Sequence, residues 1–487
     1  MKTRKFDAVC YVVFALLAAS MLVSYRYLQR DDSYIFYSYA RNVIDGFGYV
    51  FNPGENVNAT TSTTYTLALS VLGWLTSPGE AAALPMIGHI IGAISVFAAC
   101  VFLFLIGGKG DEHLAPYALP SVFVASPLLY NSVGMEAPLA LALGSAQVFF
   151  FFRGTVLTAG LLSSLGVLTR PDMILLSAVL YFFEIVRLRR LPSLCLHAVF
   201  FAPLAAWAIF SLLYFGSILP STFAAKLGQT KTGYWGEGFI FLAGFFDART
   251  WSTDFFRTGW LSASAAGIFY LGFLRFRAGI RIPGAVEAVC LWGILYSLAY
   301  GLILNPPGYP WYYTPFSVFL AIPVAYILSG VIREVLRIVP GYATHVHIAA
   351  LAGLCVVGLA THARLSPRSY NAKYESYVAT SQWLNQHAKA GDRVATVEIG
   401  IIRYYYVHGP VIDGLGLATP GVSEKVAQGD FSWHMRELEP DFLVTRMPPR
   451  ELLEDMVEEP WFRERYDLAA ELESDRMSVA IYRKAAE

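Results

Sequence analysis

Apolar runs long enough to cross a bilayer recur along the whole chain, and no other feature restricts the fold as severely. A crossing helix needs roughly 17 to 25 apolar residues. Runs near 7–26, 85–106, 114–131, 137–153, 155–169, 173–186, 195–215, 259–275, 283–304, 313–331 and 344–362 fit that need or approach it. They predict a polytopic α-helical membrane protein of about eleven transmembrane helices. Composition agrees, since only 15% of the residues are charged and 56% are hydrophobic, against about 25% charged in soluble domains. Lys+Arg and Asp+Glu balance at 36 each, which gives no reason to expect nucleic acid as a partner. Cys10, Cys100, Cys195, Cys290 and Cys355 stand singly in or beside apolar stretches, with no C-x-x-C pair. Neither a disulfide framework nor a cysteine-built metal site is therefore expected. The first run follows Lys2, Arg4 and Lys5 like a secretory signal, but the many later runs favour a retained anchor over a cleaved leader.

Short basic loops stay on the cytoplasmic side. With the N-terminus inside, Lys109, Arg153, Arg187, Arg189, Arg190, Arg275, Arg277, Arg281, Arg333 and Arg337 all fall in predicted cytoplasmic turns. That parity requires residues 62–76, "STTYTLALSVLGWLT", to lie at the interface rather than cross. The unusual polar stretches then share the extracytoplasmic side. The chain divides into a transmembrane domain, 1–363, with a first outer loop at 27–84, and an extracytoplasmic domain, 364–487, where charge rises sharply. Alternation there predicts a helix at 376–389, strands near 393–398, 411–413 and 441–446, and a hairpin near 466–484, an α/β domain.

Two adjacent acids, Asp31 and Asp32, follow the first apolar run. Like charges that close raise the pKa of one member, which suits proton abstraction. They also sit where a helix over "DDSYIFYSYARNVIDG" begins, so capping by one and reaction by the other are compatible. Tyr34, Tyr37 and Arg41 continue a polar stripe at helical spacing. The stretch "GYVFNPGENVNATTS" reads as a folded loop turning at Asn52-Pro53-Gly54; Asn52, Glu55 and Asn58 are candidate substrate contacts. Asn58-Ala59-Thr60 also matches a glycosylation sequon, a short match of little weight. Glu136 starts a helix, and Arg170 and Asp172 stand in "LTRPD" at another helix end. Arg170, Lys226 and Arg41 are candidates for binding an anionic leaving group while a hydroxyl is deprotonated. Tyr34, Tyr309, Trp311, Tyr312 and Tyr313 are candidate aromatic contacts for a substrate. His345, His347, His387, His408 and His434 match no metal spacing. No cofactor is required, though the paired acids leave room for a divalent cation.

In this order the motifs resemble the GT-C membrane glycosyltransferases, and within them the group of the mycobacterial terminal β-(1→2)-arabinofuranosyltransferase. The resemblance rests on the Asp31-Asp32 pair before an aromatic helix, "GFGYVFNPGENV" (46–57), Thr61-Ser62, "GMEAPL" (134–139), "LTRPD" (168–172), "LPSTFAAKLG" (219–228) and "VIDGLGLATP" (411–420). It implies transfer of a sugar, arabinofuranose in that group, from a polyprenyl-phosphate donor to a glycan, lipid-linked or protein acceptor of the cell envelope. It further implies a first-loop Asp as the catalytic carboxylate, and a site on the outer face of a bacterial inner membrane. This chain departs from the group's usual E-x-Y-T-S continuation with "NATTS", which leaves sugar and acceptor open but not the reaction class. Another transferase of this type, modifying lipopolysaccharide or a surface protein such as pilin, is the alternative. Transport of a lipid or solute is a weaker one, because no internal repeat accompanies the polar groups.

Overall fold

The computed structural model describes residues 2–76, 83–108, 113–187, 189, 191–277, 279–474 and 476–486. Lys109 and Arg190, which enter the orientation argument, lie outside those residues, as do the side chains of Lys2 and Arg187. The chain forms two compact units that do not follow chain order. One, here the helical unit, comprises Met1–Arg26, His89–Ala205 and Phe241–Ser366. The other, the mixed unit, gathers Tyr27–Gly88, Ala206–Ile240 and Pro367–Glu487. The first loop and residues 206–240 thus cluster with the C-terminal segment.

Six helices among the described residues are long and apolar enough to cross a membrane: Arg4–Ser24, Leu84–Gly107, Leu194–Phe215, Gly284–Leu304, Pro310–Ile338 and Pro340–Leu365. Ala137–Phe152 and Val156–Thr169 are shorter apolar helices. The protein is a multi-pass membrane protein, and six of the eleven expected runs form helices of full spanning length and apolarity among the described residues. Two expected spans are broken. In 114–131 a helix over Ala118–Val124 stops, Ser126 turns extended, and a 3-10 turn follows over Pro127–Ser132; proline lacks the N–H a helix needs and drives its predecessor out of the helical region. In 173–186 the helix Ile174–Phe182 widens into a π turn at Phe183–Arg187. Within the helical unit, Asp254–Phe276 and Ala321–Ile338 meet where Gly267 abuts Pro323, and a β-carbon at Gly267 would lie 2.4 Å from the proline carbonyl. Gln147 and Ser177 share the Ser163 hydroxyl in its interior, polar links of the kind that join helices in lipid.

The mixed unit is built on a five-stranded sheet, with β1 at Val394–Thr396, β2 at Val411–Asp413, β3 at Phe442–Met447, β4 at Tyr466–Leu472 and β5 at Ser478–Lys484. The order is β2-β1-β3-β5-β4. Val394 of β1 lies beside Val411 on one side and Phe442 on the other, both in parallel register, while β5 runs antiparallel to β3 and β4. Strands buried on both faces lose the alternation of buried and exposed positions, as β1 does with all three residues buried. Ala395, Ile412, Leu443, Met435, Phe462 and Tyr466 form a core on one face. The helix Ala372–His387 begins with the Asn371 side chain accepting from the Tyr374 N–H at 2.9 Å.

From the first loop the mixed unit takes the helices Asp31–Ile44 and Thr63–Thr76. The second, at 14 residues, is shorter than the roughly 20 needed to cross. Between them the chain stays irregular, tied to the sheet by one side chain. Asn52 Nδ2 donates to the Val411 carbonyl at 3.0 Å while its Oδ1 accepts from the Val411 N–H at 3.0 Å. The amide thereby satisfies backbone groups on the edge strand β2 that a further strand would otherwise pair.

Candidate active site

Asp31 and Asp32 open the helix Asp31–Ile44, following Arg30 in extended conformation, so both carboxylates benefit from the positive end of its dipole. Their environments then diverge. Both Asp31 oxygens are held by backbone, Oδ2 accepting from the Gly400 N–H at 3.0 Å and Oδ1 from the Ile401 N–H at 2.8 Å. Those donors begin the short helix Gly400–Tyr405. The approach is close enough to exclude any side chain at residue 400, where a β-carbon would sit 1.9 Å from the Asp31 carbonyl oxygen. Burial and the nearby Glu398 charge push the Asp31 carboxyl up to about 7, against the pull of Lys373 and the Ile401 N–H. Asp31 is a fastening between the first loop and the β1–helix turn.

Asp32 is only partly buried. The atoms around it raise its pKa, Lys226 opposes that rise most, Glu398 adds to it, and Lys373 and Arg30 also oppose it. Lys226 lies on the helix Ser221–Lys231; burial lowers its pKa, with Asp32 and then Asp413 pulling it back up. Asp413, at the end of β2, is fully buried. It shapes its own loop, Oδ1 accepting from the Leu415 N–H at 2.8 Å and Oδ2 from the Ala418 N–H at 2.9 Å. Burial still pushes its carboxyl up to about 6. The same loop is joined to the Lys226 helix, because Ser221 lies within hydrogen-bonding reach of both the Asn58 and Leu417 carbonyls.

The acids connect further to a charged cluster absent from the sequence-based candidates. Glu398 pairs with Lys373, with Arg446 at 2.6 Å and with Arg450 at 2.9 Å, and Arg450 also bonds Glu454 at 2.6 Å. Burial alone would raise Glu398, but Lys373, Arg450 and Arg446 outweigh it and hold the carboxyl low. Glu398 therefore stays ionised beside both aspartates. The glycine two residues on, in "VEIGIIR" after a strand, is the one sequence signal that could have singled out this turn.

Other candidates in the mixed unit have structural engagements. Tyr34 is fully buried, donates to Gln29 Oε1 at 2.9 Å, and packs edge-on with Tyr37 and Tyr404. Tyr37 is fully buried as well. Arg41, expected at a phosphate, donates to the Tyr404 carbonyl at 2.7 Å and pairs with Asp45 at 3.4 Å. Asn52 holds β2 and also donates to Glu55 at 2.9 Å. Asn58 is 4% exposed, too enclosed for the sequon to be glycosylated in the folded chain, and its amide has no hydrogen-bond partner among the described residues.

The remaining candidates belong to the helical unit. Arg170 bonds Glu136 at 2.9 Å and Asp172 at 2.6 Å, with all three side chains 6–7% exposed. Tyr300 donates to Asp172 at 2.8 Å and its ring lies 5.5 Å from that of Tyr312. Tyr309 and Trp311 stack at 4.8 Å with rings 7° apart, while Tyr313 is buried and donates to the Phe241 carbonyl at 2.7 Å. Among the described residues no three His, Cys, Asp or Glu side chains gather into a metal-sized group.

Comparison with known proteins locates this arrangement. Residues 363–482 match a domain of unknown function, DUF8728. Over 235 residues the chain is 29% identical to the terminal beta-(1->2)-arabinofuranosyltransferase of Mycobacterium tuberculosis, covering 44% of this chain and 37% of that relative. The fold is similar to ArnT from Cupriavidus metallidurans bound to undecaprenyl phosphate, with a TM-score of 0.61 at 13% identity over 97% of each chain. It is also similar to the oligosaccharyltransferase AglB from Archaeoglobus fulgidus in complex with an inhibitory peptide and a dolichol-phosphate. There the TM-score is 0.59 at 12% identity, over 93% of this chain and 70% of that one.

Proposed function

We propose, from the GT-C membrane glycosyltransferase fold that the chain adopts, that it transfers a sugar from a polyprenyl-phosphate donor to an acceptor of the bacterial cell envelope. Arabinofuranose is the sugar favoured by the likeness to the mycobacterial enzyme. The polyprenyl-phosphate donor is supported by the lipid phosphates bound to ArnT and AglB. The site is placed on the extracytoplasmic face of the inner membrane, a reading that the distribution of basic residues supports for the face.

One observation carries the chemistry: backbone N–H groups hold both oxygens of Asp31, whereas its neighbour Asp32 is partly exposed and in the field of Lys226. In the proposed reaction Asp32 takes the proton of an acceptor hydroxyl. The freed oxygen attacks the anomeric carbon, and the bond to the donor phosphate breaks with its electron pair leaving on the polyprenyl phosphate. Negative charge grows on that phosphate as the bond breaks, so the ammonium of Lys226 is worth most in the transition state. No nucleotide takes part. Arg170, already engaged by Glu136 and Asp172, is given no phosphate contact and serves to position its own helix ends.

Purified protein supplied with decaprenyl-phosphoryl-arabinose and other lipid-phosphate sugars tests this reading. Asp32→Asn should lose on the order of 10² to 10⁴ in turnover, the usual contribution of a positioned base. Asp31→Asn should retain turnover while loosening the Gly400 turn. Unchanged turnover in Asp32→Asn would remove Asp32 from the mechanism.

A further inference from the structure

Three helix ends of the helical unit meet around a cavity of about 170 Å³: those of Leu84–Gly107 and Ala137–Phe152, and the start of Gly284–Leu298. Leu105, Ile106, Phe149 and Phe152 give it apolar walls, Pro283, Gly284 and Ala285 complete them, and Arg153 is the charged residue in the lining. Arg153 follows Phe152 as the C-cap of its helix, and its guanidinium lies over the Phe149 ring, 5.1 Å from the centroid. That stack holds the cation against a wall of the cavity. None of these residues belongs to the proposed reaction.

The charge of Arg153 is unopposed. Its guanidinium has no hydrogen-bond or carboxylate partner among the described residues, whereas Arg170 is closed in by Glu136 and Asp172, Arg257 pairs with Asp254 and Arg337 with Glu334. Arg275, Arg277 and Arg281, in the turn that leads into Pro283, are exposed and equally without a carboxylate partner among the described residues. Glu287 is the acid closest to that turn in the chain, and it does not line the cavity. An inorganic anion would answer the guanidinium and leave the apolar walls without a partner; a hydrocarbon would do the reverse. A phosphodiester carrying acyl chains answers both, and basic pockets between membrane helices bind such headgroups. The volume lies below the roughly 300–1,000 Å³ of drug-sized ligand sites, which suits a headgroup and its glycerol while the chains stay in the bilayer. Phe152 is both part of the lining and exposed, so the apolar wall continues onto the outer surface of the helices.

We infer that this cavity binds an anionic glycerophospholipid, with Arg153 bonding the phosphodiester and Leu105, Ile106, Phe149 and Phe152 packing against the glycerol and the first carbons of the chains. A headgroup without a cation of its own is preferred, because a zwitterionic one already neutralises its phosphate and gains less from the unopposed arginines. The bound lipid ties together the ends of three helices. The inference stands apart from the proposed glycosyl transfer, and the distribution of basic residues enters it only to assign the lipid to the cytoplasmic leaflet.

The test is lipid binding by the full-length protein, delipidated in detergent and titrated with phosphatidylglycerol, cardiolipin, phosphatidylethanolamine and phosphatidylcholine. Native mass spectrometry reads retention, and the unfolding temperature reads the same event, since a ligand of the native state raises it. Phosphatidylglycerol and cardiolipin should be retained and should raise that temperature more than the two zwitterionic lipids. Arg153→Gln should weaken phosphatidylglycerol by about tenfold or more, the usual worth of a hydrogen bond to a charged group. Arg153 is exposed, so the substitution opens no void. Leu105→Glu, which sets an acid in the partly exposed wall, should weaken the same lipids with Arg153 intact and keeps the test open if the first variant misfolds. Arg337→Gln removes a basic residue outside the cavity and should leave binding unchanged. Equal retention of all four lipids, equal weakening by Arg337→Gln and Arg153→Gln, or an equal rise in unfolding temperature with inorganic phosphate alone each overturns the inference.

Discussion

Two regions of this molecule place a cation among carboxylates, and they do opposite things with it. In the helical unit Arg170 is closed in by Glu136 and Asp172, with every contact within 3.2 Å and little solvent access. In the mixed unit Lys226 stands in the fields of Asp32 and Asp413, and Asp413 already gives both oxygens to its own loop. A guanidinium is a rigid fork that matches two carboxylates and locks; an ammonium is a point charge on a flexible stem. The same count of charges therefore makes a structural knot in one unit and a polarisable site in the other. The geometry of the cation, fork or point charge, is what separates the two clusters.

That contrast breaks most visibly at Arg170. Arg170→Met leaves two enclosed carboxylates without their cation, and loss of one partner of a buried pair costs about 3–5 kcal/mol. Chemical or thermal unfolding in detergent should show that loss, and Arg170→Lys should recover little of it because a single ammonium cannot reproduce the fork. An unfolding curve unchanged from wild type would mean the knot is not structural. Lys226→Met should act the other way, lowering kcat by about 10² to 10³, the usual cost of deleting one charge-stabilising group. Any loss of stability should be smaller than that of Arg170→Met, because Asp413 keeps its backbone donors. A Lys226→Met protein that turns over normally would leave the mixed unit without its electrostatic centre.

The sequence makes part of this contrast legible. Apolar runs establish a multi-pass helical protein, and alternation near 393–398, 411–413 and 441–446 anticipates β1, β2 and β3 closely because short buried strands between turn formers are local features. The Asp31–Ile44 helix is likewise local. Three things are not. Asp31 and Asp32 look equivalent until Gly400 and Ile401, some 370 residues away in the chain, take one of them. Arg170 and Lys226 look equivalent until Glu136, 34 residues earlier, closes on the arginine. Glu398 reads as an ordinary acid at a strand end, and only tertiary packing surrounds it with Lys373, Arg446 and Arg450. The broken span at 114–131 was readable in principle from Pro127, whose effect on the preceding backbone is local, but apolar composition masked it.

The finest test of the contrast is the shape of the pH profile. Turnover by the proposed route needs Asp32 ionised and Lys226 protonated. Burial raises the first pKa and lowers the second, so the two limits approach each other. As pH rises, activity should appear through a carboxyl above the ordinary carboxylate range, then fall through an ammonium below the ordinary lysine value, giving a bell narrower than two solvated residues would give. Lys226→Arg separates the limbs, because a guanidinium keeps its proton throughout the accessible range. The acid limb should remain, since a cation still opposes the burial of Asp32, while the alkaline limb should vanish and the plateau extend upward. An alkaline limb that persists in Lys226→Arg belongs to another group, and the ammonium would then have no titrating part in the reaction.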